Sequence, residues 1–329
     1  MLDKQLKSIF GGVFQQMSPY CRECFERFGE IPVVTDDAAM IVGGTVIILP
    51  CDIDLIKEEY TRVSAFMTED GRLYCIGRND YEARTCHMVL DKNAEIYLKA
   101  LKLGDPIILD SDHCRREHSS YLDSYSKNEQ EYQSRQEEKT PSVSCSGDER
   151  ETAFRKSIAE YGIKLQKTGL VAGSWGNLSV RLDEVHMLCT PSGIDYSHMT
   201  EDQIVKVRLD NLEYEGKLKP TSEKFLHARI YNSFPEADAI IHTHSAASSA
   251  YAVAGKDLKW NGNTISCAEY ALAGTPELAA SVYEASARSS FGCLMRSHGL
   301  IVYGSSLPDA FNKALLTEDA AEKSISCID

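Results

Sequence analysis

The sequence predicts an α/β protein of two domains, and three observations predict it. At 329 residues with 43% apolar content, the chain is long enough to bury two cores. Between about Ser119 and Glu151 it turns polar, charged and poor in β-branched residues, the composition of a helix end running into a flexible linker. Beyond that stretch, hairpin-like strand pairs alternate with helical segments, which favours a mixed sheet covered by helices over a purely parallel one. The expected organisation is an N-terminal α/β domain over 1–118, a linker over 119–150 and a second domain over 151–329.

The first ten residues read as the start of an amphipathic helix, and they lack the apolar run and cleavage site of a signal peptide. In the second domain, Ala153 to Thr168 has helical apolar spacing (Phe154, Ile158, Tyr161, Leu165), with Gly169 as its terminator. Leu178 to Leu182 and His186 to Cys189 read as strands around a turn at Asp183-Glu184, and Ile204 to Leu209 as another. Lys224 to Asn232 is a helix stopped near Pro235, followed by a strand ending in His242-Thr243-His244. Leu278 to Arg288 is a helix after Gly274-Thr275-Pro276, with proline at a tolerated first-turn position. Cys293 to Met295 and Leu300 to Tyr303 are strands flanking His298, and Pro308 to Glu322 is a helix capped by Ser305 or Ser306.

The formal charge of −14 argues against a nucleic-acid or anionic-membrane partner but leaves room for a small anion at a local site. No run of about 18 apolar residues suggests a membrane helix. Eleven scattered cysteines, an odd number without an export signal, read as free thiols in a cytoplasmic protein. Cys21 and Cys24 have no second pair at zinc-finger spacing and read as half-buried helix residues.

His242 and His244 carry the chemistry. Alternate residues of a strand share a face, so both imidazoles project the same way, at a spacing suited to one metal ion. His298 supplies a third imidazole and Glu223 a carboxylate, together the ligand set of a catalytic zinc site that can release one position to substrate. Three short loops precede the histidines: Gly176-Asn177-Leu178-Ser179, Thr190-Pro191-Ser192-Gly193 and Pro220-Thr221-Ser222-Glu223. Such loops aim backbone N–H groups and hydroxyls at a phosphate without net positive charge, although each alone is also ordinary turn chemistry.

Taken in order, these loops followed by His-x-His and Ser-His-Gly-Leu resemble the class II aldolase/adducin family over roughly Ala153 to Glu322. The resemblance implies a central, largely antiparallel sheet layered with helices. It implies that His242, His244 and His298 hold Zn²⁺ or a similar divalent ion, with Glu223 as fourth ligand or catalytic acid/base. Asn177, Ser192, Gly193, Thr221 and Ser222 would cradle the phosphate of a small sugar. The implied reaction is retro-aldol cleavage of a phosphorylated ketose to dihydroxyacetone phosphate and an aldehyde, in a homo-oligomer, commonly a tetramer. Epimerisation or dehydration at the same site, or an adducin-like scaffold, are the alternatives. Between His244 and Tyr270 the chain is shorter than typical members, which leaves Tyr251, Glu269 and Tyr270 without assigned roles. It also stops at Asp329, without the tail that some aldolases fold over the substrate.

The N-terminal region echoes the second. Gly77, Ala83 and Ala94-Glu95 repeat the spacing of Gly304, Ala310 and Ala321-Glu322, and Gly44-Thr45 precedes a helical stretch much as Gly274-Thr275 does. Asp70 then falls near the position of His298, with no His-x-His before it. The expectation is a degenerate copy without a metal.

Overall fold

A three-stranded sheet and an eight-stranded sheet carry the two compact units of the chain, Met1–Gln130 and Glu131–Asp329, in a computed structural model that describes residues 2–125, 148–173 and 175–328. Most of the expected linker, 126–147, lies outside the described residues.

The first unit runs α1 (Leu2–Phe10), β1 (Gly12–Phe14), α2 (Pro19–Phe28), α3 (Asp36–Ile41), α4 (Ile53–Glu59), β2 (Ala65–Met67), β3 (Leu73–Gly77), α5 (Asp80–Leu103) and α6 (Ser111–Ser120), with one π turn to Tyr125. Helix α1 is the expected amphipathic segment. At nine residues it is too short to persist alone, and burial of Leu2 and Leu6 beside Phe66, Tyr74 and Ile76 holds it. Cys21 and Cys24 lie on α2 and are fully buried instead of half-buried. Burial pushes both thiols up to about 12, which suits packing rather than metal binding.

The second unit runs α7 (Glu149–Lys167), β4 (Asn177–Arg181), β5 (His186–Cys189), β6 (Val205–Arg208), α8 (Lys224–Ser233), β7 (Ala239–Thr243), α9 (Ala246–Val253), β8 (Leu258–Trp260), β9 (Asn263–Ala268), α10 (Pro276–Ser286), β10 (Gly292–Met295), β11 (Gly299–Gly304) and α11 (Leu307–Ser326). The sheet order is β6-β5-β4-β7-β11-β10-β9-β8. Only β9 and β10 pair in parallel, so the sheet is mixed and mostly antiparallel. One face packs Met187, Val207, Ile240 and Ile301 against Leu226 of α8 and Val282 of α10. Most expected elements recur within a residue or two, and Ser306 is the cap of α11, which runs on to Ser326. Strands β8 and β9 and helix α9 were not expected. No helix among the described residues is long and apolar enough to cross a membrane.

The two units share a register. In the first, β1 and β3 pair Gly12 with Gly77, Val13 with Ile76 and Phe14 with Cys75. In the second, β7 and β11 pair Ala239 with Gly304, Ile240 with Tyr303 and Ile241 with Val302. Each residue stands 227 positions after its counterpart (239 minus 12, 304 minus 77). The β2–β3 pairs map onto the β10–β11 pairs at the same offset, as do the N-cap residues Ser18 and Ser245, and Asn79 and Ser306. Glu82 accepts the Arg78 N–H at 2.8 Å where Asp309 accepts that of Ser305 at 2.9 Å. A Cβ on Gly77 or Gly304 would stand 2.7 Å from the amide nitrogen of Ala83 or Ala310. Gly44-Thr45 does not fit this frame. Asp52 caps α4 as Thr275 caps α10, and Gly44-Thr45 instead leads into Val46 and Ile48, which bridge to Ile31 and Met67.

Candidate metal and substrate site

Strand β4 starts the site. Asn177 lies opposite His242 across the β4–β7 pairing, and Ser179 lies opposite Ile240, so these four side chains share one face of the sheet. That face is covered by α8, whose N-cap residue is Glu223. The Asn177 amide donates to Glu223 Oε2 at 2.7 Å. Gly176 is needed beside it: its φ is +88°, and a Cβ there would meet the His242 carbonyl at 2.7 Å.

The other loops are stitched to this strand. Leu178 N–H donates to Thr190 Oγ1 at 3.3 Å, and Thr190 N–H returns a bond to the Leu178 carbonyl at 3.0 Å. Thr221 N–H then donates to the Thr190 carbonyl at 3.0 Å, Ser192 N–H to the Lys219 carbonyl at 2.9 Å, and Pro191 bridges Pro220. The three loops, scattered in sequence, therefore lie side by side. Ser192 and Ser222 are exposed, Gly193 is half-buried with φ +76°, and Asn177 and Thr221 are buried. Thr221 Oγ1 accepts the Glu223 N–H at 3.2 Å, so this hydroxyl shapes the turn into α8.

The three imidazoles converge from the ends of β7 and β11. His242 Nδ1–H donates to the Leu300 carbonyl at 2.9 Å, which leaves the lone pair on Nε2. His242 Nε2 faces His244 Nε2 at 2.7 Å and His298 Nε2 at 3.2 Å. Glu223 closes the group, with Oε1 3.0 Å from His298 Nε2 and Oε2 3.4 Å from His242 Nε2. All four residues are buried. Burial pushes His242 down to about 3 against the attraction of Glu223, so near neutral pH the ring is neutral and its one proton is the Nδ1–H given to Leu300. Burial alone would raise the Glu223 carboxyl, but His242, His298 and the Asn177 amide outweigh it and hold the group well below the usual range.

Converging nitrogen lone pairs at such separations repel unless a cation lies among them, so the donor set fits a borderline divalent ion. Among the described residues, His242, His244 and His298 are the one His, Cys, Asp or Glu group with metal-holding geometry. His298 enters through a strained turn: Ser297 has φ +55° and is fully buried. Gly299 follows because a Cβ there would stand 2.4 Å from the Thr243 carbonyl and 3.1 Å from His242 Cε1.

Sequence reasoning missed two supports. Glu318 of α11 accepts from Ser245 Oγ, Ala247 N–H, and both the N–H and Oγ of Ser248, at 2.6 to 2.9 Å, fixing the chain just after His244. His227 is fully buried and bonded through Nδ1 to Ser179 Oγ at 2.7 Å. A carboxylate on an ordinary helix carries no sequence signal. His227, though, lies four residues after Glu223 and four before Tyr231, a stripe the helical period exposes.

A layered sheet that brings three imidazoles and a carboxylate together defines a candidate metal site. Residues 156–325 match the family described as Class II Aldolase and Adducin N-terminal domain. Over 163 residues the chain is 34% identical to L-fuculose phosphate aldolase of Escherichia coli O6:H1, covering 47% of this chain and 74% of that protein. Over 176 residues it is 31% identical to 5-deoxy-D-ribulose 1-phosphate aldolase of Bacillus thuringiensis, covering 51% and 82%. A solved structure of L-fuculose 1-phosphate aldolase is 32% identical, with a TM-score of 0.49, covering 52% of this chain and 84% of that one. The chain belongs to the class II aldolase and adducin family, and the relatives named here are aldolases, which are lyases.

Proposed function

We propose that the protein is a metal-dependent aldolase that cleaves a phosphorylated ketose to dihydroxyacetone phosphate and an aldehyde. The observation that carries this reading is Glu223 standing against the His242, His244 and His298 cluster while bonded to Asn177 of the first loop. Zn²⁺ or a similar divalent ion held by these histidines would supply fixed positive charge where an enediolate develops. Glu223 takes or returns the proton, and Asn177 holds its carboxylate in register. Ser192, Gly193, Thr221 and Ser222, with Asn177, bind the phosphate. The N-terminal end of α8 favours an anion there, and the anchor orients the reacting carbon without joining the chemistry.

The first unit is read as a degenerate copy of the half from β7 to α11. At the common offset Gln15, Met17 and Gly71 stand where His242, His244 and His298 stand, so the copy holds no metal. Asp70 falls one residue from the His298 position. Among the described residues of this unit nothing corresponds to β4, β5 and β6, the part that carries the phosphate loops. A cytoplasmic setting agrees with ten free thiols among the described cysteines. A homo-oligomer, commonly a tetramer, is the assembly read from the family, and light scattering tests it.

The deciding experiment offers ketose 1-phosphates to zinc-loaded protein and analyses the products. Release of dihydroxyacetone phosphate with an aldehyde supports the reading. An isomeric sugar phosphate or loss of water would replace it with epimerase or dehydratase action. Failure to take up any metal would leave the scaffold alternative.

A further inference from the structure

Both peptide groups that flank Asn177 are held by side-chain hydroxyls from the chain around the second loop. Ahead of Asn177, the Gly176 carbonyl accepts from the Tyr196 hydroxyl at 2.9 Å. Behind it, the Leu178 N–H donates to Thr190 Oγ1 at 3.3 Å. Neither bond belongs to the regular ladder. Strand β5 ends at Cys189, and in a continued β4–β5 pairing Leu178 N–H would give its bond to the Thr190 carbonyl. That carbonyl accepts Thr221 N–H at 3.0 Å instead. The third loop thus enters where the ladder would run on, and hydroxyls hold the strand in its place.

The Tyr196 ring is seated independently of its hydroxyl. Tyr196 opens a short helical turn, its N–H donates to the Gly173 carbonyl at 3.2 Å, and its side chain is fully buried. Gly162 of α7 makes room for the ring: a Cβ there would stand 2.6 Å from Tyr196 Cδ1. Burial pushes the phenol well above its usual range, so near neutral pH the hydroxyl keeps its proton and donates. The peptide it holds needs such a partner. Gly176, at φ +88°, permits the turn into β4 but gives the backbone no stiffness of its own. Asn177 follows directly, and its amide donates to Glu223 Oε2 at 2.7 Å.

We propose that Tyr196 is a positioning residue of the candidate site: with Thr190 it fixes the two peptide groups around Asn177, and thereby aims the Asn177 amide at Glu223. The inference rests on the reading of Glu223 as metal neighbour and acid/base. It gives the Tyr196 hydroxyl a role that filling the space beside Gly162 would not.

Tyr196→Phe keeps the ring in its seat and removes only the hydroxyl. In crystals of the full chain carrying it, the Asn177–Glu223 bond is expected to open beyond hydrogen-bonding distance, while the parent keeps it at 2.7 Å. For zinc-loaded protein, kcat/KM on a cleaved ketose phosphate should fall about ten- to a hundredfold, the cost of a small misplacement of catalytic groups. In an Asn177→Ala background the same substitution should change kcat/KM by less than about twofold, because the residue it acts through is gone. A tyrosine that only fills space would leave the bond intact and add its loss in full to that of Asn177→Ala. An Asn177–Glu223 bond unmoved in Tyr196→Phe, or losses that multiply in the double variant, overturns the proposal. The crystallographic readout needs no substrate, so it stands even if no ketose phosphate is cleaved, an outcome that strikes the aldolase reading instead. Should Tyr196→Phe fail to fold, Thr190→Val carries the same test, and an unmoved bond there also overturns it.

Discussion

Asn177 and His242 are cross-strand partners in the β4–β7 pairing. The amide that grips Glu223 and the imidazole at the centre of the histidine cluster are therefore set by one register. A slip of one residue would turn both away from α8, because side chains alternate faces along a strand. The sheet thus fixes Asn177 and His242, while His244, His298 and Glu223 come from the strand ends and turns beside it.

Metal content gives the first prediction. About one divalent ion per chain is expected on reconstitution, bound by the second unit alone. His242→Ala combined with His244→Ala should abolish it, measured by elemental analysis of the dialysed protein.

Glu223→Gln should keep the ion on three imidazoles yet lower kcat by about 10²–10⁴-fold, the usual worth of a positioned acid/base. Normal turnover by a metal-loaded Glu223→Gln protein would contradict the role given to the carboxylate.

Ser222 is exposed at the entry to α8. Ser222→Ala should raise KM for a phosphorylated substrate about tenfold, equivalent to one charge-assisted hydrogen bond, with kcat and melting temperature nearly unchanged. Steady-state kinetics against phosphorylated and unphosphorylated ketoses reads this directly.

His227 makes stability depend on pH. Burial pulls it from the ordinary 6.5 down to about 4, so the unfolded chain binds a proton that the folded chain refuses. Its contribution is whole above pH 6.5 and is lost as pH falls toward 4, by about 3 kcal/mol at most. Thermal melts between pH 7 and 4.5 should fall more steeply for the parent than for His227→Gln.

The histidine pair, the loop order and most of the second sheet were legible because each has a local signature: period two, glycine or proline turns, and caps. What escaped has a physical reason. Helix α9 is buried on nearly every side, so Ala247, Ser248, Ala250 and Val253 show no amphipathic stripe. The β8–β9 hairpin did carry a signal, since Asn261-Gly262, at φ +46° and +80°, is a two-residue hairpin turn that the pattern of longer strands obscured. Glu318 reaches its partners across seventy residues or more, a distance no spacing rule spans. In the first unit the echo of Gly77 and Ala83 was readable because close packing demands small residues there.

Those glycines give a further test. Gly77→Ala and Gly304→Ala would each push a Cβ to 2.7 Å from a helix amide, so each should destabilise its own unit by about 1–3 kcal/mol. Calorimetry on the two variants should shift different parts of the melt.

The shared offset also bears on how the molecule comes apart. If the first unit is a copy of the half from β7 to α11, as proposed, then among its described residues that half stands without a counterpart of β4, β5 and β6, and it carries enough burial to cohere by itself. The same half in the second unit should behave as a foldon. Its amides, from Ala239 to Ser326, should outlast those of β5 and β6 in hydrogen exchange, with the outer strands opening first and the histidine-bearing strands last.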